Sequence, residues 1–226
     1  MNPLRRVLLV GDVHGQLSAL QIALSYAGSF ALDAVLCTGD LPTKGYALSG
    51  NTAQTINAVA QALAGANVLT VRGNHDRYFA ENAADPTLAE LFRAEWDASR
   101  DALDYVRSLP PTRRVATVAG ELLLCHGFGA DDIAGIYPGG DDAPIAEALA
   151  TLPGERPRFL VAGHTHRRMV RTVLDVTIIN PGSLIGDKES PGFAVADFGA
   201  RTVAFYEMGT NGAATPDARL SYNENL

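Results

Sequence analysis

The sequence predicts a single domain of the α/β class (α+β in some schemes), built as a four-layer αββα sandwich in which two mixed β-sheets are flanked by helices. Short apolar runs alternate with segments of helical period in the first part of the chain, whereas in the second part the apolar runs are short and follow one another closely. A chain of 226 residues is long enough to bury one large core.

Three βα units are predicted in the first part of the chain. Their strands are nearly continuous apolar runs, a pattern typical of strands that are covered on both faces of a sheet. In the first two helices, apolar residues recur every three or four positions and a glycine follows the last turn. We therefore predict strands over residues 6–10, 34–37 and 68–71, and helices over 16–27 and 52–65.

The third helix is predicted to be longer and to follow a polar stretch. Thr87 and Glu90 match the capping box, in which Ser or Thr at the N-cap pairs with Glu three residues later. Apolar residues then keep a helical period as far as Leu109, where two prolines end the pattern. The prediction is one continuous helix over residues 87–109.

The second part of the chain is predicted to form an antiparallel half. Strands over 114–118 and 121–125 are expected to form a hairpin around Ala119-Gly120. One further helix near 143–152 follows a loop over 127–142 that is rich in glycine and aspartate. The remaining predicted strands cover residues 159–162, 169–174, 176–179, 193–195 and 202–206. The domain is predicted to span residues 1–208, and the polar tail over 209–226 is expected to be loosely held.

Composition and charge narrow the function classes. Hydrophobic residues make up 47% of the chain and charged residues 19%, as in ordinary globular domains, and no apolar stretch approaches the length of a membrane span. The formal charge of −7 argues against binding of a nucleic-acid polymer, which requires a basic face. The two cysteines imply no disulfide framework. The expectation is a cytoplasmic protein without a membrane partner, and its oligomeric state is left open.

Potential metal ligands follow five of the predicted strands, and all five histidines of the chain are among them. Because the carboxyl ends of strands in an open α/β sheet line a common crevice, these side chains are expected to converge on one site. A glycine stands beside each group, where a tight turn needs a positive φ angle or a close approach of the backbone. The residues are Asp12, His14, Asp40, Asn74, His75, His126, His164 and His166.

These residues lie in motifs of the form D-x-H, G-D, G-N-H-[DE], H and G-H-x-H, in this order over roughly residues 7–185. The set resembles the calcineurin-like metallophosphoesterase superfamily, and within it the small bacterial and archaeal phosphoesterases. The resemblance implies a hydrolase that acts on a small phosphoester substrate, as a phosphodiesterase or a phosphomonoesterase, with a metal-bridging hydroxide as the nucleophile.

Carried over residue by residue, the resemblance implies two metal ions that share one carboxylate, Asp40. Oxygen donors mixed with imidazole suit Mn²⁺, Fe or Zn²⁺. Since side chains i and i+2 of an extended segment point the same way, His164 and His166 are each expected to reach a different ion. The first ion would be held by Asp12, His14, Asp40 and His166, and the second by Asp40, Asn74, His126 and His164.

His75 resembles the superfamily's catalytic histidine, which is not a ligand and which protonates the leaving alkoxide or binds the phosphoryl oxygen. Asp76 is expected to support the turn. Lys44, Asn74 and Arg77 are the candidate substrate contacts.

One departure concerns the second motif, which continues as G-D-x-x-D-R-G in phosphoprotein phosphatases and dinucleotide tetraphosphatases. Here Thr43 and Lys44 stand in place of the aspartate and the arginine. A neutral partner raises the pKa of the catalytic histidine less than a carboxylate does. A phosphoprotein phosphatase or a dinucleotide polyphosphate hydrolase is therefore the alternative within the enzymes. A non-catalytic protein-interaction scaffold of the same fold is the alternative of another class.

Overall fold

The computed structural model describes residues 2–43, 50–209, 212–217 and 222–223. Within these ranges, seven helices and twelve strands are present. The helices are α1 (Leu17–Ser29), α2 (Gly50–Gly65), α3 (Asn74–Ala84), α4 (Pro86–Leu91), α5 (Arg93–Ala98), α6 (Arg100–Ser108) and α7 (Asp142–Thr151). The strands are β1 (Arg6–Val10), β2 (Ala34–Cys37), β3 (Leu69–Thr70), β4 (Thr112–Thr117), β5 (Gly120–Cys125), β6 (Phe159–Val161), β7 (Met169–Val173), β8 (Val176–Asn180), β9 (Gly192–Asp197), β10 (Thr202–Met208), β11 (Ala214–Pro216) and β12 (Tyr222–Asn223).

The strands form two mixed sheets. In the seven-stranded sheet the order is β11-β10-β9-β1-β2-β3, with β12 also paired to β10. Strands β1, β2 and β3 are parallel, as the βα units predict, whereas β9 runs antiparallel to β1. The five-stranded sheet has the order β4-β5-β6-β8-β7, in which β5, β6 and β8 are parallel. The predicted antiparallel second half is therefore wrong for these three strands, because the connection from β5 to β6 carries α7 and crosses over to a parallel neighbour.

Three clusters of buried side chains hold four layers together. The central cluster lies between the sheets and contains Leu9 of β1, Leu124 of β5 and Phe205 of β10. A second cluster packs α1, α2 and α6 on the outer face of the seven-stranded sheet. The third packs α7, through Leu149, on the five-stranded sheet. This αββα arrangement confirms the predicted fold class.

The helical region between β3 and β4 differs from the prediction of one long helix. It contains α4, α5 and α6, which are separated by single non-helical residues at Phe92 and Ser99. The predicted capping box at Thr87 is wrong, because Asp85 caps α4 by accepting hydrogen bonds from Thr87 N and Leu88 N. The polar stretch before α4 forms α3. The sequence pattern did not predict this helix, because its residues are mostly polar and show no clear apolar period.

The C-terminal segment also differs from the expected loosely held tail. Ala214–Pro216 pairs with β10, and Asp217 is buried against the Arg168 guanidinium. Backbone pairing and one buried ion pair therefore attach these residues to the sheet, in spite of their polar sequence. The domain boundary at residue 208 stays a prediction. In the part of the chain that the structure describes, no helix has the length and apolar character that crossing a membrane requires.

The carboxyl ends of the parallel strands meet at one edge of the sandwich. The loops after β1 and β2 are joined there by hydrogen bonds from Val13 N and His14 N to Asp40 O. The loops after β5 and β6 are joined by a hydrogen bond from Gly163 N to His126 O. A bridge between Asp12 and Ser183 links the two sheets at this edge. The topology thus brings the predicted ligand loops into contact.

Candidate metal centre

The structure brings all seven predicted metal ligands together at this edge. Six of them are buried, with no more than 6% of their surface exposed, and His164 is half-buried. The buried six are Asp12, His14, Asp40, Asn74, His126 and His166.

The first group of donor atoms surrounds the imidazole nitrogens of His14 and His166. The two Nε2 atoms lie 3.2 Å apart. Asp40 Oδ2 is 3.6 Å from His14 Nε2, and Asp12 Oδ2 is 3.8 Å from His166 Nε2. Ligands bound about 2.0–2.2 Å from one ion lie roughly 3–3.5 Å from each other. The distances between the donor atoms of these four side chains are at this spacing or up to about 0.3 Å beyond it, so the group is close to the geometry that holds a cation.

The second group surrounds the side-chain oxygen of Asn74. This Oδ1 atom lies 2.9 Å from His126 Nε2 and 3.1 Å from His164 Nδ1. The two ring nitrogens are 3.3 Å apart, and Asp40 Oδ2 is 3.4 Å from His126 Nε2. Asp40 Oδ2 therefore faces both groups.

The imidazoles are oriented by hydrogen bonds on their outer nitrogens. His14 Nδ1 donates to Pro42 O at 3.0 Å, and His126 Nδ1 donates to Thr38 O at 2.9 Å. These bonds place the proton on Nδ1 and leave the lone pair of Nε2 directed into the site, which is the form that binds a metal. His164 has the opposite orientation, with Nδ1 directed inward.

The two carboxylates are each held by one oxygen. Asp12 Oδ1 accepts a hydrogen bond from His164 N at 3.1 Å, and Asp40 Oδ1 accepts one from His75 N at 2.8 Å. The other oxygens point toward the histidines. Asp12 Oδ2 is buried, and no described residue donates a hydrogen bond to it. A buried acceptor without a donor is rare in native proteins, and a cation at this position would satisfy it. The donor set thus fits a divalent metal.

The backbone is strained at four of the candidate ligands. The φ angles are 44° at His14, 52° at Asp40, 65° at His164 and 57° at His166, all in the left-handed region that non-glycine residues rarely adopt. Such strain clusters at functional sites. The expectation that His164 and His166 lie in an extended segment is wrong, because both residues have left-handed backbone conformations. A tight turn, closed by a hydrogen bond from Thr165 N to Gly163 O, lies in the same segment. The two side chains nevertheless enter different donor groups.

Asp76 supports the turns, as expected. Its buried carboxylate accepts hydrogen bonds from three backbone N–H groups, those of Asp40, Leu41 and Gly73, at 2.8–2.9 Å. Gly73 is required for this fit, since a Cβ atom there would overlap the Asp40 carboxylate. One side chain therefore ties the loops after β2 and β3 together.

Burial and crowding of like charges dominate the electrostatics. Burial raises the pKa of Asp40 well above its ordinary value, and the carboxylates of Asp12 and Asp76 add to the effect while His126 opposes it. Burial lowers the pKa of His14 to about 4. Burial and the neighbouring His126 likewise lower the pKa of His164. Neutral imidazoles beside clustered carboxylates are the protonation states that metal binding needs.

His126 responds differently to the same surroundings. Burial lowers its pKa, but the carboxylates of Asp40 and Asp12 outweigh burial and raise the pKa above its ordinary value. The negative charges of the site are thus strong enough to favour a proton on this ring. A metal ion would take the place of that proton.

His75 lies at the rim of the site and is half-buried. Its ring makes an edge contact with the His14 ring, with 5.0 Å between the centroids. A ring nitrogen of His75 also lies within 4.8 Å of donor atoms of His14 and Asp40. It is therefore close enough to contact a substrate bound at the first donor group, and its role as a catalyst rather than a ligand stays a prediction.

The three predicted substrate contacts differ in where they lie relative to the site. Asn74 lies inside the second donor group. Arg77 is engaged by an acidic partner, because its Nε and Nη2 atoms donate to Asp132 at 2.8 and 3.0 Å and its Nη1 also faces Glu81. Lys44 lies outside the described residues, so its phosphate contact stays a prediction.

Two acidic residues near the site are absent from the predicted set. Asp132 binds Arg77, and Asp187 contacts His166. Neither aspartate belongs to a motif or directly follows a predicted strand. The search for ligands at strand ends therefore did not identify either of them. A carboxylate facing the outer nitrogen of a ligand histidine is a common arrangement, but its position along the chain has no fixed spacing.

Comparison with known proteins identifies the family of the chain. The family model for the calcineurin-like phosphoesterase superfamily domain matches residues 6–201. No curated protein matches the chain. Among solved structures, a hypothetical protein from Pyrococcus horikoshii OT3 is 18% identical, with a TM-score of 0.69 over 89% of this chain and 87% of that one.

Two further structures show the same fold. A metallophosphoesterase from Sphaerobacter thermophilus is 23% identical, with a TM-score of 0.61 over 89% of this chain and 87% of that one. A single mutant of Vps29 from Entamoeba histolytica is 19% identical, with a TM-score of 0.54 over 96% and 99% of the two chains. At these identities the likeness concerns the fold alone. Because the family model covers most of the sequence, the chain belongs to the calcineurin-like phosphoesterase superfamily.

Proposed function

We propose that the protein is a binuclear metal-dependent phosphoester hydrolase that acts on small phosphodiesters or phosphomonoesters. The observation that carries the proposal is the pair of donor groups on either side of Asp40 Oδ2, which lies 3.6 Å from His14 Nε2 and 3.4 Å from His126 Nε2. One carboxylate oxygen between two sets of ligands is the arrangement expected for a bridge between two ions.

The two groups define which residues would hold each ion. Two ions held there would supply a hydroxide nucleophile at neutral pH and neutralise charge on the attacking and leaving oxygens. The mixture of carboxylate, amide and imidazole donors favours Mn²⁺, Fe or Zn²⁺ over ions that prefer thiolate or all-oxygen sites. The first ion would take Asp12, His14, Asp40 and His166, and the second Asp40, Asn74, His126 and His164.

His75 is the proposed catalytic residue on the leaving side. Its backbone N–H is fixed on Asp40 Oδ1, and its ring packs on His14, so the imidazole stays beside the first donor group. A protonated His75 would donate to the leaving alkoxide as the phosphorus–oxygen bond breaks. Lys44 is the proposed additional charge for the phosphate, and it would act as a point charge without the bidentate geometry of arginine.

The interaction scaffold is the weaker candidate. A scaffold needs no complete metal centre, yet all seven ligand positions are occupied by suitable side chains that converge on one site. The similarity to Vps29 concerns the fold and carries no argument about function. The two alternative enzyme functions, phosphoprotein phosphatase and dinucleotide polyphosphate hydrolase, are less favoured. Thr43 and Lys44 replace the aspartate and the arginine that those enzymes have in the second motif.

A substrate panel tests the proposal. The purified protein, stripped with chelator and supplied with Mn²⁺, Zn²⁺ or Fe²⁺, is assayed on aryl monoesters, aryl diesters, cyclic nucleotides and a dinucleotide polyphosphate. We expect metal-dependent hydrolysis of an aryl ester that chelator abolishes, because water is activated only by bound ions. No turnover of any substrate with any of the metals contradicts the hydrolase and favours the scaffold. Preference for the dinucleotide would favour the alternative enzyme class.

A further inference from the structure

Asp187 makes a short polar contact to His166, one of the candidate ligand histidines. Its Oδ1 atom lies 2.6 Å from His166 Nδ1, as short as the hydrogen bonds that a charged acceptor makes. The His166 side chain is 5% exposed, whereas Asp187 is 27% exposed and closes the outer side of the ring. The other ring nitrogen of His166 faces the first donor group, 3.2 Å from His14 Nε2.

This partner distinguishes His166 from the other two histidines that present Nε2 to the site. His14 and His126 donate Nδ1–H to backbone carbonyls, those of Pro42 and Thr38. The carboxylate nearest to His126 Nδ1, Asp12 Oδ1, is more distant at 3.4 Å. A carboxylate acceptor makes an imidazole a stronger metal ligand than a neutral carbonyl does, because its charge raises the basicity of the opposite nitrogen.

The loop that carries Asp187 is fixed in place on the segment that follows His166. Glu189 Oε2 accepts a hydrogen bond from Arg168 N at 2.8 Å, and Ser190 O accepts one from Arg168 Nη2 at 2.6 Å. The Arg168 guanidinium is itself buried against Glu207 and Asp217. The loop of Asp187 is therefore held in position by hydrogen bonds to Arg168.

We propose that Asp187 is a positioning residue that fixes the tautomer and the orientation of His166 and thereby tightens the first metal site. The inference rests on the proposed metal centre. It assigns Asp187 an effect on the first ion, since His166 belongs to the first donor group and not to the second.

Calorimetric titration of the metal-free protein with Mn²⁺ tests this role. The wild type is expected to show two classes of site. Asp187→Ala is expected to weaken one class by about 10- to 100-fold and to leave the other within about threefold. Asp187→Asn, whose carbonyl still accepts the Nδ1 proton, should recover part of the loss and serves as the second variant if the alanine variant does not fold. His126→Ala identifies the classes, because it should remove the class that Asp187→Ala leaves intact.

Glu189→Gln is the matched control. It removes one negative charge from the same loop, but its amide oxygen can still accept from Arg168 N, and it should bind both ions as the wild type does. The inference is overturned if Asp187→Ala and the wild type have the same isotherm, or if Glu189→Gln weakens binding equally. A wild type that binds no Mn²⁺ overturns both this inference and the proposed function, whereas an unchanged Asp187→Ala isotherm with two wild-type sites overturns this inference alone.

Discussion

His126→Ala is expected to lower kcat about a thousandfold or more and to reduce the number of bound Mn²⁺ ions from two to one. His126 Nε2 belongs to the second donor group, 2.9 Å from Asn74 Oδ1 and 3.3 Å from His164 Nδ1. Losing one of two ions removes a positive charge that would stabilise the transition state, and a thousandfold effect corresponds to about 4 kcal/mol. Metal content and steady-state kinetics are the measurements.

His75→Ala is the matched control for this variant. Both substitutions remove an imidazole from the same site, but His75 is assigned to proton transfer and not to metal binding. We expect His75→Ala to keep two ions and to lower kcat by about 100-fold or more. The ligand assignment is wrong if His126→Ala retains two ions and full activity, or if His75→Ala is the variant that loses an ion.

Asp40→Asn is expected to abolish activity and yet to stabilise the metal-free protein. Asparagine can keep the hydrogen bond from His75 N through Oδ1, but it presents an amide N–H₂ or a weaker oxygen donor where the bridge is proposed. Removing the carboxylate also removes the repulsion that it experiences, buried beside Asp12 and Asp76. A stability gain together with a loss of function is typical of active-site residues.

The stability gain of Asp40→Asn should depend on pH. The pKa of Asp40 is raised in the folded protein, so its favourable contribution is complete below the unfolded value of about 3.8 and is lost as the pH rises through the folded pKa. The metal-free wild type should therefore lose stability relative to the variant as the pH rises above about 4. Urea unfolding of both proteins in chelator measures this difference. If the wild type and Asp40→Asn are equally stable at low and at neutral pH, the charge repulsion assigned to Asp40 is contradicted.

Most of the site could be predicted because each ligand lies in the short segment that follows the end of a strand. The carboxyl ends of the strands in an α/β sheet line one crevice. The positions of Asp12, Asp40 and His126 after predicted strands therefore predict that their side chains converge there. Asp187 could not be found in this way. It reaches His166 from a loop without regular structure, and such a contact depends on how the backbone turns between residues 183 and 191.

The backbone conformation of the ligand loops was also beyond the sequence pattern. The spacing of His164 and His166 suggested an extended segment, whereas both residues adopt left-handed conformations. Left-handed conformations of non-glycine residues depend on surrounding contacts, here the hydrogen bond from His164 N to Asp12. Sequence spacing carries little information about such strain.

The fold was predictable at the level of layers but not at each helix boundary. The apolar period from Thr87 to Leu109 predicts one helix, but Phe92 and Ser99 interrupt it. A break of a single residue changes the period little, because each helix resumes at once. Helix α3 was not predicted at all. It begins at Asn74, inside a metal-ligand motif, and most of its residues are polar, so no apolar period marks it.

The most direct test of the two-ion centre is anomalous diffraction from crystals grown with Mn²⁺. We expect two peaks about 3.5–4 Å apart, with the Asp40 carboxylate in contact with both. One peak should be surrounded by Asp12, His14 and His166, and the other by Asn74, His126 and His164. A single peak, or peaks that do not share Asp40, would contradict the proposed bridged pair.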